Sequence, residues 1–255
     1  MLDHDRRFTA LVSSDWSECL SPSGPFDPIV FAYPDLEPLL TGIFKDYTSN
    51  RISLGEAWRR IRGALPSPLT QDQMDAYLEA GFAMYQGVAD LVGWCLERGI
   101  LFMVNTTATQ GYFQRAGRNS LLPSGMLVAA NPLICYRDEE YATQPMYEVL
   151  EIQDKATNTA RVMKEYGIPP ARVILVGDSG GDGPHFEWGK SVGAFLVGSM
   201  TKPSLETYCE TRGIRIDVRF GLCYPRGAAR DPDREMQVDF MMLAPVIDRA
   251  LRGSD

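Results

Sequence analysis

Two carboxylates four residues apart, Asp178 and Asp182, lie in the glycine-rich turn Gly177-Asp178-Ser179-Gly180-Gly181-Asp182-Gly183. The turn follows Val173-Ile174-Leu175-Val176, an apolar run that reads as a buried strand. Two acids at that spacing can face one hard cation, and glycines let backbone approach a ligand closely. Asp and Gly are also ordinary turn residues, so this stretch needs partners before it becomes a metal site. Three other clusters supply them. Asp15 follows the apolar run Phe8–Ser14, Asn105 and Thr106 follow Ile100–Val104, and Lys155 opens the helix that leads into Val173. Placed at one sheet edge, these groups suit phosphoryl chemistry. A carboxylate can attack phosphorus (Asp15), and Asp15 with Asp178 can hold a divalent cation. A hydroxyl or amide can bind phosphate oxygens (Thr106, Asn105), and Lys155 can neutralise the charge that collects there.

The elements that must position them alternate strand and helix. After the first strand, Ser21–Pro28 carries three prolines and reads as a linker. Helices are expected over Leu36–Phe44, Ile52–Leu65 and Thr70–Met84, the second with a capping box of Ser53 and Glu56 and the third capped by Thr70. Val88–Arg98 reads as a helix stopped by Gly99. Ile100–Val104, Met126–Ala130, Val173–Val176 and Gly193–Val197 read as strands, and Leu133–Val149 as strands or a hairpin. Further helices are expected at Thr109–Arg118, Lys155–Tyr166 (capped by Asp154) and Leu205–Arg212, with a short helix from Pro184 ending over Phe186–Lys190, an edge strand at Asp217–Phe220 and a closing helix over Met236–Leu251. The pattern predicts an α/β doubly wound core with a mainly parallel sheet. Residues 1–24 and 85–255 form that core and residues 25–84 an inserted helical cap.

Composition narrows the function. The 255 residues carry 33 acids against 25 Lys and Arg, a formal charge of −8. That excludes a broad basic face for nucleic acid but leaves room for a small anionic substrate. Five scattered cysteines with no CxxC pair argue against a disulfide framework and a structural zinc site. No apolar run approaches the ~20 residues a membrane span needs, and the N-terminus lacks a signal-peptide layout. A cytoplasmic protein is expected, with no nucleic-acid or membrane partner and an oligomeric state left open.

The segments LVSSDWSEC, LFMVNTT, Lys155 and VGDSGGD together resemble the four motifs of the haloacid dehalogenase (HAD) superfamily. The layout is similar to phosphoserine-phosphatase-like and enolase-phosphatase-like members, with a helical C1-type cap after the first motif; the cap stretch DYTSNRISLGEAWRRI resembles theirs. The resemblance spans about Phe8–Val197, and the tail beyond it matches no recognisable motif. It implies a Rossmann-like core, Mg²⁺ as cofactor, and an aspartyl-phosphate formed on Asp15. It further implies that Asp178 binds the metal, that Asp182 acts from the outer shell, and that Lys155 with Thr106 or Asn105 binds phosphate. A small phosphorylated metabolite would be the substrate.

One departure matters. The phosphatases carry a second Asp two residues after the nucleophile, which protonates the leaving group and then activates water; here that position is Ser17. A serine hydroxyl does neither job well, and general acid–base help is worth ~10²–10⁴-fold. Ser17 can still offer the metal its backbone carbonyl, while Glu18 on an extended turn is expected to point elsewhere. Three readings follow: a slow or specialised Mg²⁺-dependent phosphatase; another HAD chemistry such as phosphoryl transfer or C–P or C–halogen cleavage; or a catalytically impaired relative that binds a phosphorylated ligand or a protein partner.

Other residues weigh less. His185 is expected to pack or face solvent more readily than reach substrate, and His4 has no role. Arg51, Arg59, Arg60 and Arg62 read first as a solvated cap face. Trp16 either shields the site or packs core against cap, Cys19 lacks a histidine to activate it, and Tyr85 with Gln86 marks where cap rejoins core.

Overall fold

A computed structural model describes residues 7–136 and 146–253; His4 lies outside them. Seven described strands form one sheet in the order β4-β3-β2-β1-β5-β6-β7, every neighbouring pair parallel. They are β1 (Ala10–Ser14), β2 (Ile100–Thr109), β3 (Leu127–Asn131), β4 (Tyr147–Glu148), β5 (Val173–Gly177), β6 (Phe195–Ser199) and β7 (Val218–Phe220). Central β1, β2 and β5 are buried along their whole length, which explains their unbroken apolar character: helices cover both faces of a parallel sheet. The chain enters at the centre and winds outward in both directions, so the sheet has its switch point between β1 and its two neighbours.

Four helices follow β1: α1 (Asp27–Ala32), α2 (Glu37–Thr48), α3 (Leu54–Ala64) and α4 (Gln71–Gly81). They form the inserted helical cap over the α/β core. Ser53 caps α3 by accepting from Glu56 N, but the expected capping box is only half made. The Glu56 side chain turns outward to Arg59 and Arg60, and the α3 N-terminus takes its second acid from the core: Glu151 accepts from Leu54 N (2.9 Å) and Gly55 N (3.1 Å). Thr70 and Gln73 do form a complete box at α4.

The core helices are α5 (Val88–Glu97), α6 (Gln110–Arg118), α7 (Asp154–Tyr166), α8 (Gly183–Val192), α9 (Pro203–Thr211), the short α10 (Pro232–Glu235) and α11 (Ala244–Arg252). Asp154 does not cap α7. Its carboxylate accepts from Leu150 N and Glu151 N upstream, and so shapes the loop that delivers Glu151 to α3. The short helix expected to end over Phe186–Lys190 runs from Gly183 to Val192. The helix expected over Met236–Leu251 is broken. Asp239 caps a 3₁₀ turn at Phe240–Leu243, and α11 starts afresh with Pro245 in its first turn, where a missing N–H costs nothing. Phe240 N donates to Gln86 O, which pins this tail where the cap rejoins the core. Within Leu133–Val149, residues 137–145 lie outside the described part. Beyond them Tyr147–Glu148 pairs parallel with β3, which rules out a hairpin between these two strands. No described helix is long and apolar enough to cross a membrane, and all five cysteines are free thiols.

Candidate active site

The carboxyl ends of β1, β2 and β5 meet at one place, and four of the predicted residues meet there with them. One oxygen from each of Asp15, Asp178 and Asp182 lies within 4.8 Å of the others, all three residues buried. Lys155 reaches in from the first turn of α7, its ammonium 3.0 Å from Asp15 Oδ2 and 2.6 Å from Asp182 Oδ1. Burial alone would lower the Lys155 pKa, but the two carboxylates outweigh it and hold the ammonium charged. Trp16 N donates to Asp15 Oδ1 at 2.7 Å, which orients the carboxylate and leaves Oδ2 toward Lys155.

Asp182 plays a structural part. Its Oδ2 accepts from Asp178 N (2.9 Å) and Ser179 N (3.2 Å), closing the loop after β5 upon itself. The glycines are required by close approach. A Cβ on Gly177 would lie 2.6 Å from Asp182 Cγ, and one on Gly180 would lie 2.2 Å from the carbonyl oxygen of Thr48 in the cap. Asp178 is different: among the described residues its Oδ1 has no partner, although it is fully buried. Burial pushes the Asp178 carboxyl up, against the pull of the Lys202 ammonium. A buried carboxylate oxygen with nothing to accept from is costly unless a cation completes it. Asp15 and Asp178 therefore fit a divalent ion, with Asp182 supporting them from behind.

Asn105 and Thr106 face opposite ways at the end of β2. Adjacent residues of a strand point to opposite sides. Asn105 turns inward, its Nδ2 donating to Ser13 Oγ, Lys155 O and Thr159 Oγ1, whereas Thr106 lies on the side of Asp15, where its hydroxyl favours the charged carboxylate. The strand expected to end at Val104 runs on to Thr109, with its pairing to β3 shifting register after Asn105. Both residues thus sit in β2 rather than in a loop beyond it. Ser17 is buried and lines a small cavity with Trp16, Pro25, Pro28 and Tyr112 at the junction of cap and core.

Other expectations resolve by packing. Trp16 stands between Phe82, Tyr112 and Phe113, so it joins core to cap. His185 is buried against Thr159 Oγ1 (2.9 Å) behind the site, and burial lowers its pKa to about 3, so it is a neutral core residue. Burial and the neighbouring aspartates push the Cys19 thiol up, which leaves it inert. Arg59 and Arg60 pair with Glu56 and Arg51 with Asp46 on an exposed face.

Tyr47, Lys202 and Arg230 escaped sequence reasoning. Tyr47, near the end of α2, places its hydroxyl 3.1 Å from Thr107 Oγ1 beside the site, so the cap is closed over it. Lys202 follows β6 and sets its ammonium 2.5 Å from Asp178 Oδ2. Glu18, expected to point away from the acid–base position, pairs with Lys202 and with Arg230 from the tail. Lys202 was detectable in principle, since it too sits at the carboxyl end of a parallel strand next to β5. Arg230 carried no such signal.

Fold and site together define a capped α/β protein with a carboxylate–lysine centre at the switch point of its sheet. No protein-family model matches the chain, and no curated protein matches it. Solved structures do. A phosphoserine phosphatase captured as a phospho-aspartyl intermediate analogue is similar over 94% of this chain and 99% of its own, with a TM-score of 0.67 at 16% identity. A substrate-bound phosphoserine phosphatase complex gives the same values. A HAD family hydrolase from Salmonella enterica serovar Typhi matches 87% of this chain and 70% of its own, with a TM-score of 0.61 at 13% identity. The chain thus has the fold of the phosphoserine phosphatases, cap included.

Proposed function

We propose that this protein is a HAD-type, Mg²⁺-dependent phosphatase that hydrolyses a small phosphorylated metabolite through an aspartyl-phosphate on Asp15. The observation that carries the reading is the convergence of Asp15, Asp178 and Asp182 around Lys155 at the ends of β1 and β5. Asp15 is the nucleophile: a carboxylate oxygen attacks phosphorus, the bond to the leaving oxygen breaks, and water later cleaves the acyl-phosphate. Lys155 neutralises charge on Asp15 and the phosphoryl oxygens, and the Thr106 hydroxyl donates to them. Asp15, Asp178 and the Ser17 carbonyl would hold Mg²⁺, which when bound supplies further charge neutralisation. The closed cap keeps water from the acyl-phosphate until the leaving group has gone. The free, scattered cysteines support a cytoplasmic setting.

Ser17 leaves the leaving oxygen without a strong acid. Turnover is therefore expected to depend steeply on the leaving group, with aryl phosphates (acidic leaving groups) hydrolysed far faster than alkyl phosphates in an assay with Mg²⁺. Asp15→Asn is expected to remove activity by a factor on the order of 10⁴ or more. Ser17→Asp is expected to raise the alkyl phosphate rate by ~10²-fold or more and to flatten the leaving-group dependence. Absence of turnover on a broad phosphomonoester panel, with Ser17→Asp equally silent, would leave the second reading: an impaired relative that binds a phosphorylated ligand. The position of Ser17 itself favours that reading. The loop of Asp178 and Asp182 speaks against metal-free C–halogen chemistry, because those carboxylates would have no work in it.

A further inference from the structure

Lys202 has no part in the mechanism just given, yet its ammonium lies inside the site. It stands 2.5 Å from Asp178 Oδ2, on the same carboxylate whose Oδ1 has no partner among the described residues. Its backbone N–H donates to Asp178 O at 2.8 Å, so the loops after β5 and β6 are stitched together and the side chain has little choice of direction. The second partner of the ammonium is Glu18. Glu18 holds a left-handed backbone conformation (φ 57°) that residues other than glycine rarely adopt, and this turns its carboxylate toward Lys202. Arg230 holds the other Glu18 oxygen and is itself fixed by Glu235, at 2.5 Å. The tail thus fixes Glu18, and Glu18 with Asp178 brackets one ammonium.

We propose that Lys202 is a built-in competitor of the divalent cation for Asp178, with Glu18 as the partner to which it retreats. The inference rests on the reading that Asp15 and Asp178 hold that cation. A monovalent and a divalent charge a few ångströms apart in a buried site repel by more than an ion pair with one carboxylate oxygen returns. Lys202 therefore weakens divalent binding even though it orients Asp178. Its purpose is physical: Asp178 and Glu18 are never left as bare buried carboxylates, so the site stays folded and charge-compensated whenever the ion leaves.

The test is Mn²⁺ binding to the full chain, followed by electron paramagnetic resonance without substrate. Lys202→Met is expected to bind Mn²⁺ at least tenfold more tightly than the unaltered protein, Lys202→Arg to bind no more tightly than it, and the double variant Lys202→Met/Asp178→Asn to lose the gain. Equal or weaker binding by Lys202→Met overturns the inference. Saturable binding that Asp178→Asn abolishes, but that ignores Lys202, overturns it while leaving the metal reading intact; no saturable binding in any protein overturns both. If Lys202→Met lacks native near-ultraviolet circular dichroism, Lys202→Gln serves as the neutral replacement. A crystal of the unaltered protein soaked in Mn²⁺ needs no variant: Nζ is expected to leave Asp178 and remain on Glu18. An ion bound at Asp178 with the 2.5 Å bridge still in place overturns the retreat.

Discussion

Two lysines reach into one site, and they are built differently. Lys155 comes from α7 and bridges Asp15 and Asp182 entirely within the core, about 1% exposed. Lys202 comes from the loop after β6 and bridges Asp178 and Glu18 nearer the surface, about 15% exposed, through a network completed by the tail. The first bridge belongs to the sheet's central strands and was foreseeable from them. The second joins segments that no pattern of strands and helices requires to meet. A shared site can thus have one half fixed by the fold's centre and another half fixed by the segments that carry Lys202 and Arg230.

The largest expected break is on the Lys155 side. Lys155→Met leaves two buried carboxylates without their cation and is expected to cost ~3–5 kcal/mol, read from urea unfolding at pH 7. Lys202→Met should cost less than that, because Arg230 still holds Glu18 and only Asp178 loses its cation. Equal costs would erase the distinction between the two halves.

Arg230 tests the outer half. It donates to Glu235, Glu18 and the Tyr85 hydroxyl (3.1 Å), while Tyr85 and Tyr224 donate to Glu235. Burial works against the Glu235 charge, but these donors outweigh it and hold the carboxyl below its ordinary range. Arg230→Met is expected to destabilise the protein by ~2–3 kcal/mol in the same assay, since a buried carboxylate then keeps only its two phenols. Loss of the tail's protection from proteolysis should accompany it, with cleavage mapped by mass spectrometry between residues 221 and 239.

His185 gives a finer probe of the inner half. Its pKa falls from the ordinary 6.5 to about 3 through burial and the nearby Lys155. The unfolded chain therefore binds a proton that the folded one refuses once the pH drops below 6.5. Stability from this group is whole above pH 6.5 and is lost as pH falls toward 3, by ~1.4 kcal/mol per unit. His185→Gln should remove that share of the slope between pH 6.5 and 5 in urea titrations. An identical slope in both proteins would mean that His185 is protonated in the fold.

The sheet was legible because its strands are buried on both faces and so are apolar throughout, and because helical caps and stops punctuate the chain between them. Asp15, Lys155, Asp178 and Asp182 were legible for a related reason: parallel strands deliver their carboxyl ends to one edge. Misread elements share a cause as well. Asp154 and Glu56 have the residue type of a cap, but their carboxylates found better donors in the loop before α7 and in Arg59 and Arg60. Met236–Leu251 has one apolar stripe, but Asp239 and Pro245 divide it where the tail docks on Gln86.

Sequence alone determined the winding of the core, the insertion of helices after β1, and which carboxylates end on the working edge, because local periodicity and strand polarity set these without reference to distant residues. Only the tertiary structure decided that Thr106 rather than Asn105 faces Asp15, that Tyr47 closes the cap, and that Lys202, Glu18 and Arg230 form the outer half of the site. Those outcomes depend on which side chains meet across long stretches of chain, and charge pairing between distant loops leaves no period in the sequence.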